Sequence, residues 1–234
     1  CEPGVVRVFS EGPRFDLDEK LRADQRRNGG ENDSPSRNLS RFVAGLDDSG
    51  FQVRPIWRTD RMGRGGDQIP FLEKGYPAIR FSVGIENYNH QHQDLRTEGG
   101  VEYGDTVDKM DFAYLAKVTA LNTRVADRLA RAPRPPAPTL KGAVSTDTVL
   151  EWAAVPGATG YSIWQRRTDE ADWPTAPVIA NVVATSARLE GVRGDDWIFG
   201  VSATASDGTM SPVASAVPAG QFAPLAAPKG DSTR

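Results

Sequence analysis

Cysteine is nearly absent from this chain of 234 residues, which carries Cys1 and no other. That excludes a disulfide framework and any CxxC zinc motif, and a thiol with no chain before it is a poor nucleophile. Long apolar runs are missing as well; without about 18 consecutive apolar residues, no segment reads as a membrane span. A basic excess is also lacking. The 28 Lys and Arg face 31 Asp and Glu, a formal net charge of −3, so neither nucleic acid nor an anionic membrane finds a matching surface. No GxSxG elbow supports a Ser/His/Asp triad. "GRGGD" (63–67) lacks the Lys-Ser/Thr of a phosphate loop. There is no initiator Met and no signal peptide, and strand-like sequence begins by Val5; a processed or cut piece is the expectation.

The chain does have an ordinary globular composition, with 38% apolar and 25% charged residues. Its length suits one large domain or two smaller ones. "RAPRPPAPTL" (131–140) divides it, because its prolines exclude a helix interior and favour extended backbone. In the first half "VVRVFS" (5–10) reads as a buried strand. A helix follows, with Ser34 as N-cap, Pro35 at its first position, a stripe of Leu39, Phe42, Val43 and Leu46, and Gly50 past its end. "FQVRPIW" (51–57), weakened by Pro55, and "YPAIRFSV" (76–83) read as strands, and "DQIPFLEKG" (67–75) as a short helix. Tyr114, Val118, Leu121, Val125 and Leu129 recur at helical spacing within 107–131. Strands alternating with helices predict an α/β layered sheet. The charged stretch 18–33 reads as solvated surface, as do the adjacent pairs Asp47–Asp48 and Asp195–Asp196.

After the prolines the grammar changes to short β-rich runs: 148–152, 160–166, 177–183, 186–192 and 196–206, separated by turn residues. These predict an all-β sandwich. The runs resemble a fibronectin type III domain, with Trp152 where that family buries a tryptophan on its second strand. "GYSIWQR" resembles the third strand and "DWIFGVSATAS" the penultimate one, with Val201 and Ala203 facing inward. Trp197 stands where the family carries the tyrosine of its corner hydrogen bond. "RGD" at 193–195 reads as a solvated turn. The expected organisation is a first domain over 1–131, a Pro-rich linker over 132–138, an independently folding sandwich over 139–220, and a flexible tail over 221–234.

Both histidines fall in one loop, "ENYNHQHQD" (86–94). In extended backbone, residues i, i+2 and i+4 share a face, which would bring His90, His92 and Asp94 together as a zinc site with an open position. Surface hydrogen bonding is the plainer alternative. The longer word "RGGDQIPFLEKGYPAIRFSVGIENYNHQHQD…GDTVDKMDFAYLAKVTALN" resembles the C-terminal part of the M28 family of zinc peptidases. "GGDQIPFLEKGYPAI" matches that family's helix-turn-strand, with Gln68 where the family often has histidine. Residues 84–94 match its ligand loop, and Asp105-Thr106 with the following helix match its end.

The resemblance implies a hydrolase, an aminopeptidase-like metallopeptidase acting on peptide substrates with two zinc ions. The family's other ligands are an upstream His-x-Asp, a Glu-Glu pair whose first member is the general base, and a further Asp. None stands at the matching place here, so this chain alone is expected to be inactive. The family spacing of His, three residues, then Asp selects His90 as metal ligand with Asp94, and His92 is the alternative; Asp94 and Asp67 are expected to support the ligands. If 1–131 belongs to a larger sheet, an open edge or face is expected near Val5–Phe9. Family and module together imply a secreted or periplasmic bacterial protein, with possible surface or polymer contact through the fibronectin-like module. Two further readings stand beside this one: a non-catalytic binding protein built on the same two halves, and a complete mononuclear enzyme using His90, His92 and Asp94.

Overall fold

The strand VVRVFS is the middle of a three-stranded sheet, and the first half is arranged around it. The computed structural model describes residues 2–46 and 51–217. Cys1, the Asp47–Asp48 pair, Gly50, the last residues of the expected sandwich and the tail lie outside them. The first half contains β1 (Val5–Ser10), α1 (Glu19–Asn28), α2 (Pro35–Gly45), β2 (Gln52–Ile56), α3 (Ile69–Glu73) and β3 (Ile79–Val83). A small hairpin follows, β4 (Arg96–Glu98) and β5 (Val101–Tyr103), and then α4 (Phe112–Arg131). Among the described residues no helix is long and apolar enough to cross a membrane.

β1 pairs in parallel with β2 and antiparallel with β3. A parallel pair needs a crossover, which α1 and α2 supply. Val6 and Val8 pack with Val43 of α2 and with Leu121 and Val125 of α4. The expected open edge at Val5–Phe9 is not found there. β1 is paired along both sides, and its apolar residues are buried on both faces. Among the described residues the sheet's free edges are the outer sides of β2 and β3. Pro55 lies on β2, where an edge strand tolerates a missing N–H.

α2 starts as its sequence predicts, with the Ser34 hydroxyl accepting the Arg37 N–H at 3.0 Å. Its polar face is the surprise. Ser36, Arg37, Asn38, Ser40 and Arg41 are buried alongside Leu39 and Val43, so the helix is covered all round. The charged stretch 18–33 is not simply solvated either. Asp18 caps α1 by accepting the Leu21 N–H at 2.8 Å, and Gln25 turns inward to donate to the Gly30 carbonyl at 2.7 Å. In α4 the apolar stripe holds through Val125, while Leu129 is exposed.

The second half has β6 (Thr139–Lys141), β7 (Thr148–Glu151), β8 (Gly160–Arg167), β9 (Ile179–Val182), β10 (Ser186–Leu189), β11 (Trp197–Thr204) and β12 (Ala214–Ser215). They form two antiparallel sheets, β10-β7-β6 and β12-β11-β8-β9. Trp152 is buried between them, edge-on to Tyr161 at 5.2 Å, and Val201 and Ala203 face the same core. Among the described residues Trp197 makes no corner bond of the tyrosine kind; the Arg167 guanidinium lies over its ring at 5.6 Å. The short β6 and β12 have no sequence run long enough to mark them.

Candidate metal-ligand loop and its charged anchor

The histidine loop leaves β3 through Gly84 and lines an open groove of ≈ 1090 Å³. It is not extended. Tyr88–His90 is one turn of 3-10 helix, Gln91 is extended, and His92 takes φ 55°, the left-handed region that non-glycine residues seldom occupy. That kink scatters the side chains that an extended strand would have put on one face. His90 and His92 line the groove, whereas Asp94 and Asp67 are exposed and outside its wall. Among the described residues no three His, Cys, Asp or Glu side chains gather to hold a metal ion. Zinc normally takes at least three protein ligands, so the residues present do not by themselves fit one.

The two histidines differ in what their rings can still do. Asn87 Oδ1 accepts the Asn89 N–H at 3.1 Å, which orients the amide, and Asn87 Nδ2 then meets His90 Nδ1 at 3.2 Å. The His92 ring has no hydrogen bond among the described residues.

Beneath the loop is a charged anchor that local sequence spacing does not reveal. The Glu86 side chain is only 3% exposed and meets Arg7 at 2.9 Å, Arg61 at 3.0 Å and Arg64 at 3.2 Å. Gln91, between the histidines, also donates to Glu86, at 3.3 Å. Burial pushes the Glu86 carboxyl up, but the bonds from Arg61, Arg7 and Gln91 outweigh it and hold the group below the usual range. Asp60 is its counterpart, with Arg61 at 3.2 Å, Arg80 at 3.7 Å and the Gln68 amide at 2.7 Å. There too burial is outweighed, by Gln68 and Arg61, and the carboxyl stays low. Carboxylates held ionised by guanidinium groups make poor general bases. Their role is to fix the loop. A different acid, Glu11 at the end of β1, is buried with its Oε2 unpartnered. Burial, aided by the Asp16 charge and opposed by the Phe15 N–H, Arg14 and Ser36, pushes its carboxyl up to about 7.

No family model matches the chain. It is 38% identical over 218 residues to a protein of Leptosphaeria maculans named as a probable zinc metalloprotease, covering 90% of this chain and 50% of that one. A protein of Pyricularia oryzae with the same description is 37% identical over 229 residues, covering 90% of this chain and 44% of its own. These relatives are fungal, which overturns the expectation of a bacterial protein. Solved structures similar to the second half include a fibronectin-III-like protein from Clostridium thermocellum (21% identity, TM-score 0.28, 35% of this chain and 81% of that one). Another is the protein FN3tt (12% identity, TM-score 0.29, 36% and 88%). The sandwich therefore stands on its own strands and core. The chain spans about half the length of the curated relatives it matches, and those relatives are named as probable zinc metalloproteases.

Proposed function

We propose that this chain is a portion of a zinc-dependent exopeptidase of the M28 type, aminopeptidase-like, with peptides as substrates. The observation that carries the reading is the similarity to probable zinc metalloproteases, which runs through the histidine loop and covers 90% of the chain. Residues 1–131 form part of the peptidase domain, 132–138 the linker, 139–220 the accessory sandwich and 221–234 the tail. The groove supplies one histidine to a two-zinc site, and the remaining ligands and the general base come from elsewhere in the parent protein. The spacing of four residues to Asp94 favours His90 as that ligand, with His92 the alternative; both line the groove. Asp94 and Asp67 are too exposed to orient a ligand firmly and act at most through water.

The test is made on the full-length parent, by metal analysis and hydrolysis of aminoacyl nitroanilides. Two zinc ions per chain are expected, with activity lost on His90→Ala and less affected by His92→Ala. Loss confined to His92→Ala would reverse the choice of ligand, and a parent without zinc or peptidase activity would sink the reading. Tight stoichiometric zinc in the 234-residue chain alone would favour a stand-alone site instead.

A further inference from the structure

A sandwich on a flexible tether exposes the outer faces of both its sheets, so its strands alternate between buried and exposed residues. Here β8 and β11 do not alternate. Six of eight positions on each strand are buried. Tyr161, Ile163, Phe199 and Val201 face the sandwich core; on the opposite face Arg166 and Ile198 meet Asp33 and Gly29 of the first half, while Val213 and Trp173 cover Gly200.

The contact is polar and buried. Arg166 of β8 meets Asp33, the residue before the α2 cap, at 2.6 Å, with both side chains 3% exposed. Ser215 of β12 donates to the same Asp33 oxygen at 2.9 Å and accepts from Asn38 Nδ2 at 2.9 Å. Asn38 Oδ1 accepts the Trp173 indole N–H at 3.0 Å, and Arg41 donates to the Ala171 carbonyl at 2.8 Å. Gly30, at φ 105°, passes so close to Val217 that a Cβ would come within 2.8 Å of it. Arg166 Nε and Arg41 Nη2 have no hydrogen-bond partner among the described residues, but the buried ion pair, with Ser215 and Asn38 bonded around it, fixes an orientation, since displacing either partner strands a charge.

We infer that the sandwich is a fixed buttress of the α/β half, not a mobile binding module, and that the outer face of its β8–β11 sheet is committed to this internal role. It grips α2. That helix carries Arg37 and Arg41 over the Trp57 ring at 4.7 and 5.3 Å. Trp57 follows β2 and leads into the segment of Asp60 and Arg61, from which the histidine loop is anchored. The inference does not depend on the peptidase reading, because no metal or substrate enters it.

Calorimetry and hydrogen exchange on the 234-residue chain test it. One unfolding transition is expected. Arg166→Leu and Asp33→Leu should each lower the midpoint by roughly 10 °C, and the double variant should recover much of that loss because no charge is left stranded. Amides of α2 should exchange faster in Arg166→Leu, although the substitution lies in the sandwich. Should that variant not fold, Asn38→Ala, which removes four side-chain bonds, one of them from Arg41, but no charged group, should still lower the midpoint by about 5 °C and loosen β8 and β12. Two separate transitions, or Arg166 and Asn38 variants that perturb only their own half, would overturn the inference.

Discussion

Glu86 and Arg61 meet at 3.0 Å directly beneath the histidine loop, and Arg61 reaches on to Asp60 at 3.2 Å. One guanidinium thus joins the loop after β3 to the loop after β2. Replacing Glu86 with Gln leaves Arg7, Arg61 and Arg64 facing each other without their shared counter-charge. We expect a loss of about 3 kcal/mol, read by urea unfolding, with faster amide exchange over 86–92. An effect under about 0.5 kcal/mol would mean that the cluster is screened as a surface network is.

Gly66 and its neighbour Gly65 should respond oppositely to alanine. A Cβ at Gly66 would overlap the Arg80 guanidinium and the Gln68 side-chain amide, whereas nothing lies within 4 Å at Gly65. Long side-chain ends usually move aside cheaply. These are held by Asp60, so moving them breaks its bonds. Gly66→Ala should cost on the order of 1–3 kcal/mol, while Gly65→Ala should be near neutral or slightly stabilising through the unfolded chain. Equal midpoints for the two variants would show that the Asp60 cluster yields without penalty.

The Glu11 carboxyl should leave a mark on the pH profile of stability. Its pKa rises from 4.5 to about 7 on folding, so the folded chain binds the proton more tightly than the unfolded one. The sign follows: its favourable contribution is complete below about pH 4.5 and is lost as pH rises through about 7. Glu11→Gln keeps a neutral side chain at every pH. The variant should therefore gain on the wild type by on the order of 2 kcal/mol between pH 4 and pH 8. A pH-independent difference between the two would place the ionised carboxylate in contact with water.

Most of the regular structure was legible because its signals are local. Ser34 and Pro35 marked the start of α2, a β-rich run between turn residues marked β11, and helical spacing marked α4. α1 escaped because it buries little beyond Gln25, leaving no apolar stripe to detect. The contacts that tie the molecule together were illegible for a different reason. Asp33 and Arg166 are 133 residues apart, and Arg7 and Glu86 are 79 apart; each looks locally like a solvated charge. For the histidine loop the residue types were legible and the geometry was not. Reading it as extended missed the left-handed turn at His92, since nothing in "HQHQD" demands one.

The outer side of β3 has a consequence for the polypeptide in solution. Along Ile79–Val83 the outward N–H and C=O groups meet no strand among the described residues, and exposed Ile85, Tyr88 and Leu115 lie along the same groove. β2, the opposite margin, carries Pro55 and so is a poor template for another chain. β3 has no such guard. Any extended segment that satisfies those groups also shelters the apolar side chains beside them, so self-association should begin at this margin and grow with protein concentration.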